Sequence, residues 1–136
     1  MALARNAPDR DIQIVNLSRR SRPDYERCFL DLSAPASRPA AGTLIIQALR
    51  GFHGERAIFI QNAHPNFAGK VPSRDYERDV NANVTAPLRP GEIFLRAVRA
   101  CGLAREARLT TMSSASVRPP TAAQTVCCAD KAAFEI

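Results

Sequence analysis

Short β-rich runs separated by helix-length segments are the feature that most restricts this chain. The run RAIFIQ at Arg56–Gln61 is continuous, β-branched and aromatic, which suits a strand buried in a sheet. Similar runs stand at 11–17 (DIQIVNL), 27–32 (RCFLDL) and 107–112, with its firmest part at 108–112. Between them, 42–52 carries apolar residues at helical spacing, and Gly51 marks its end. Residues 73–100 read as a helical stretch interrupted at 87–91, where Pro87, Pro90 and Gly91 fall. A Pro/Ala/Ser linker follows Ser33, a loop covers 62–72, and 129–136 opens a further helix. Residues 1–6 read as the tail of a helix. Strands that alternate with helices, and look covered on both faces, predict a mostly parallel sheet in a three-layer α/β sandwich.

The chain has 136 residues, which fits a single domain spanning 1–136. Its formal charge is +6, but the arginines are spread out and lack aromatic or glycine punctuation. That pattern favours a charged surface, and a nucleic-acid binder stands as the weaker option. No apolar run reaches membrane-spanning length, and residues 1–11 lack the apolar core of a signal peptide. A cytoplasmic location and no membrane partner are expected. Cys28, Cys101, Cys127 and Cys128 form no C-x-x-C, and His53 and His64 do not complete a ligand set with them. No metal site is expected, and Cys127 and Cys128 read as reduced thiols.

In open α/β sheets, ligands bind at the carboxyl ends of the strands. Several residues with chemistry to offer fall there. Ser18, Arg19 and Arg20 follow the first run. In a dinucleotide fold that is where the adenosine ribose is read, and guanidinium groups suit a 2′-phosphate by charge and fork geometry. The plainer account is a solvated basic turn. Ser114 follows the run ending at Met112, and Cys127 and Lys131, four apart, share one helical face.

The segment from Thr110-Thr111-Met112-Ser113-Ser114 to Cys127-Cys128-Ala129-Asp130-Lys131 resembles the active-site segment of the short-chain dehydrogenase/reductase (SDR) family. There a strand ends in Ser-Ser, and thirteen residues after the second Ser comes Tyr-x-x-x-Lys. Ser114 and Lys131 match, while Cys127 stands at the tyrosine position. Asp31-Leu32 is similar to the family's Asp-Leu, whose aspartate meets the adenine amino group; alternatively Asp31 or Ser33 caps a turn. Gln61-Asn62-Ala63-His64 is similar to the family's Asn-Asn-Ala-Gly, which lines the adenine ribose and steadies the sheet. Asn62 and Ala63 match there, and His64 replaces a glycine and reads as a surface loop residue. Asn83-Val84-Thr85-Ala86-Pro87 is similar to the family's Asn-Val-Thr-x-Pro, whose Asn holds a proton-relaying water; otherwise Asn83 is an ordinary helical residue. In flavour the segments look most like the sepiapterin-reductase or benzil-reductase branch.

The resemblance covers about 11–136 and implies a partial Rossmann-like fold. It implies an NADP(H)-dependent oxidoreductase that reduces a small carbonyl compound. Ser114 would orient the carbonyl, Lys131 would hold the nicotinamide ribose, Asn83 would place a water, and Cys127 would stand in the acid position. Ser18, Arg19, Arg20, Asp31, Leu32, Asn62 and Ala63 would join Lys131 in holding NADP. A homodimer through helices including 92–100 and 131–136 is also implied. The family's first strand and its Gly-x-x-x-Gly-x-Gly loop have no counterpart, since no glycine precedes Gly42. A chain truncated at both ends, with weak or no activity, is therefore expected. The alternative is a catalytically inactive remnant that serves as a binding or dimerisation module.

Overall fold

The structure is a computed structural model, and it describes residues 12–20, 26–63, 75–102, 106–113 and 125–134. Among the described residues, four strands and four α-helices follow one another: β1 (Val15–Ser18), β2 (Glu26–Phe29), α1 (Arg38–Arg50), β3 (Arg56–Gln61), α2 (Tyr76–Val80), α3 (Ala86–Ala100), β4 (Glu106–Thr111) and α4 (Thr125–Ala132). A 3₁₀ turn, Pro35–Ser37, leads into α1, and a π-turn, Asn81–Thr85, joins α2 to α3. Both pairings are parallel: β1 with β2, and β3 with β4. The chain thus has a partial Rossmann-like α/β fold with short parallel ladders, as its alternating pattern predicts.

The helices form where their apolar residues make a stripe. In α1, Ala41, Ile45 and Leu49 recur every fourth residue and are buried. Pro39 sits in the first turn, where a missing N–H costs nothing, and Arg50 stands in the last turn. The expected linker after Ser33 is therefore mostly helix, because proline starts a helix as readily as it breaks one. In α3 the buried positions fall at Ala86, Pro87, Pro90, Gly91, Phe94, Ala97 and Val98. Its end is closed by Gly102, whose φ of 61° lies where side chains are strained. Asp75 caps α2, accepting from the Arg78 N–H at 2.9 Å.

Two apolar clusters hold these elements. Ile45 and Leu49 of α1 meet Ala57 of β3 and Phe94, Ala97 and Val98 of α3. The Phe59 and Phe94 rings stack at 5.4 Å between centroids. The second cluster joins Leu30, Leu32, Ala41 and Ala86, and Leu17 packs against both.

Two expectations are corrected. The interruption predicted at 87–91 lies earlier, as the π-turn Asn81–Thr85. Pro87 has no N–H for the carbonyl of Asn83, and its ring would crowd that carbonyl; widening the preceding turn relieves the crowding. The strands are also not covered on both faces. In β3, Ala57 is buried, while Ile58 and Ile60 on the opposite face are 51% and 40% exposed. The parallel strands stand as two ladders, with no described strand between β1 and β3.

Candidate functional site

The carboxyl ends of the strands converge near the start of α3. Leu30 and Leu32, just after β2, pack on Ala86. Gln61, the last residue of β3, donates through Nε2 to the carbonyl oxygen of Pro87. The same amide accepts from Thr111 Oγ1 at 2.9 Å. One side chain thus links β3, β4 and α3. Gly91 makes room for it, since a Cβ there would stand 2.7 Å from Gln61 Nε2 and 3.2 Å from Leu109 Cδ2.

At the β1–β2 end of this rim, Ser18 Oγ donates to the Arg20 carbonyl at 2.8 Å, and Arg19 and Arg20 are exposed. Asp31 accepts from Ser33 N at 2.9 Å and from Ser33 Oγ at 2.6 Å, which makes it a turn cap. The Ser33 hydroxyl bond is the largest influence holding its carboxyl below the usual carboxylate range; partial desolvation opposes it, and the Arg19 and Arg78 charges assist. Arg19 and Asp31 therefore share a rim. Leu32 is buried in the second cluster. Asn62 and Ala63 are exposed just past β3.

At the β3–β4 end, Lys131 Nζ donates to the Met112 carbonyl oxygen at 2.5 Å. Asn83 and Asp130 are almost wholly buried, at 3% and 2% exposure. Neither polar atom of the Asn83 side chain, nor Asp130 Oδ2, completes a hydrogen bond. Burial pushes the Asp130 carboxyl above its usual range; the nearby Asn83 amide opposes this, the Asp79 charge adds to it, and Lys131 opposes it.

Ser114 and His64 lie outside the described residues, and Cys127 is described by its backbone alone, one turn before Lys131 in α4. The sequence reading passed over Asp130 and Asp79. An aspartate beside a lysine, as Asp130 is, carries no local sign that a neighbouring helix will bury it. Among the described residues, no group of His, Cys, Asp and Glu could hold a metal ion. No described helix is long and apolar enough to cross a membrane.

No protein-family model and no curated protein sequence matches the chain. Among solved structures, the chain is similar to the crystal structure of a short-chain dehydrogenase/reductase SDR from Burkholderia vietnamiensis. The TM-score is 0.73 with 28% sequence identity, over 98% of this chain and 68% of that one. This likeness supports kinship with the SDR family.

Proposed function

We propose that this chain is an SDR-type oxidoreductase segment that binds NADP(H) and reduces a small carbonyl compound. The observation that carries the reading is the seat of Lys131. Its ammonium sits at the carboxyl rim of β4, bonded to Met112, in a chain similar to an SDR along 98% of its length. That is where a ribose hydroxyl donor is needed in a fold that binds nucleotides at strand ends.

The residues at the β1–β2 end suit the phosphorylated ribose of NADP. Arg19 and Arg20 are exposed beside β1, and a guanidinium fork matches a phosphate. When bound, the cofactor supplies the hydride. This chain's part is to hold and to move a proton. Lys131 holds the ribose and, as a cation, favours ionisation of an acid beside it. Cys127, one turn earlier, occupies the position of that acid, and a thiol with an ordinary pKa of about 8.5 is a poor hydrogen-bond donor to a developing alkoxide. Asn83 places a water, and Ser114 orients the carbonyl. Asn62 and Ala63 line the adenosine end. Slow turnover follows from the thiol.

The test is a fluorescence titration of the protein with NADPH and with NADH. The reading expects NADPH to bind more tightly, and the double change Arg19→Ala and Arg20→Ala to erase that preference. Cys127→Tyr is then expected to raise NADPH-dependent carbonyl reduction by at least about tenfold. No binding of either cofactor at millimolar concentration would sink the reading.

A further inference from the structure

Asp130 is a buried titratable group to which the proposed function gives no part. α4 packs against α2 and against the π-turn, and at this contact three polar side chains are buried: Asp130 of α4, Asp79 of α2 and Asn83 of the π-turn. Three of their atoms are unmet, namely Asn83 Nδ2, Asn83 Oδ1 and Asp130 Oδ2. With Asp130 as a carboxylate, one of these is a donor and two are acceptors. A carboxylate can take the amide N–H, but it has nothing to give to Asn83 Oδ1. One proton on Asp130 turns an acceptor into a donor, and donors then match acceptors.

We propose that Asp130 and Asn83 form a proton-operated switch: with its proton, Asp130 closes a two-bond pair with the Asn83 amide, and without it the amide turns over. In the closed pair, Asp130 Oδ2–H donates to Asn83 Oδ1, and Asn83 Nδ2–H donates to Asp130 Oδ1. When the proton leaves to solvent, Asn83 Oδ1 faces a negative oxygen. Rotation about the last side-chain bond then swings Nδ2 across to the carboxylate and Oδ1 away from it.

The surroundings favour the proton. Burial is the largest influence, and from α2 the charge of Asp79 also works against ionisation. Lys131, next in α4, works the other way, but its ammonium is bonded to the Met112 carbonyl oxygen. Among the described residues no group of His, Cys, Asp and Glu could hold a metal ion. A proton, which needs no cavity, is the cation that this cluster takes.

The switch stands apart from the oxidoreductase reading, because it is tested without cofactor or turnover. One consequence does rest on that reading: where Asn83 holds a water, the turn exchanges the atom offered to it. The full chain, isotope-labelled at the asparagine side-chain nitrogen and the aspartate carboxyl carbon, is followed by NMR from about pH 4 to about pH 8. Asn83→Ser and Asp130→Asn assign the two signals. Expected is one step in the Asn83 amide signals, with the same midpoint as the Asp130 carboxyl carbon and above 3.8. Asp130→Asn offers a donor and an acceptor at every pH and should remove the step. Asp79→Asn should move both midpoints to lower pH. If Asp130→Asn does not fold, the shared midpoint and its move in Asp79→Asn decide. Three results overturn the proposal: no step in the Asn83 signals at the Asp130 midpoint, a step that survives Asp130→Asn, or midpoints that Asp79→Asn leaves in place.

Discussion

Lys131 Nζ donates to the carbonyl oxygen of Met112 at 2.5 Å, which pins α4 to the end of β4. Lys131→Met keeps the apolar stem and removes the charge-assisted bond. The expected loss is about 1–2 kcal/mol of unfolding free energy, read by urea denaturation. On the proposed function, NADPH affinity falls as well, whereas a purely structural lysine would leave it unchanged.

Asp130 should make the protein less stable as the solution becomes less acidic. Its folded pKa is raised above 3.8, so its favourable contribution is complete below that value and is lost as pH rises through the folded pKa. At neutral pH the buried carboxylate is a cost. Asp130→Asn is therefore expected to stabilise the protein at pH 7, by roughly 1–3 kcal/mol for an unmet buried polar group, read by urea denaturation. The gain should shrink toward pH 4. A gain that grows on acidification would show that Asp130 is charged and well paired.

Asp31 has the opposite sign. Its folded pKa is lowered, so its contribution is present above 3.8 and lost as pH falls through the folded value. Asp31→Ala should cost about 1 kcal/mol at pH 7 through the two Ser33 bonds. The gap between wild type and variant should narrow as pH falls below 3.8. Urea denaturation at pH 7 and at a series of pH values below 3.8 tests this.

How much of this the sequence shows depends on how local the cause is. The strand at Arg56–Gln61 is legible to its boundaries because continuous β-branched and aromatic character leaves no other outcome. The first run is expected at 11–17 and forms at Val15–Ser18; the second, expected at 27–32, forms at Glu26–Phe29. There the pattern is right and the ends are set by pairing. The prolines mislead twice. Pro39 begins α1 where a linker is expected, and Pro87 displaces its disturbance into the preceding turn. Of the rim residues, Asp31 could be read as a turn cap, because its partner Ser33 is two residues away. The burial of Asn83 and Asp130 depends on α4 docking against the π-turn, a long-range event that neither local sequence encodes.

Gly91 is the tightest helix–strand approach among these contacts. Gly91→Ala puts a Cβ 2.7 Å from Gln61 Nε2, which also donates to Pro87. The expected cost is about 1–3 kcal/mol by urea denaturation. Adding Gln61→Ala should return part of that loss, because the clashing group is then gone. Unchanged stability in the single variant would mean that the Gln61 amide swings aside at little cost and its bond to Pro87 contributes little.

Among the described residues the two ladders share no backbone hydrogen bond, so Leu17, which touches both clusters, works as a rivet between them. Under tension applied across β1 and β3, the molecule should part there first. Side-chain adhesion peels at modest force, whereas a row of backbone bonds loaded along the strands must break together. This seam is therefore where a pulling experiment should see the first extension, ahead of either ladder.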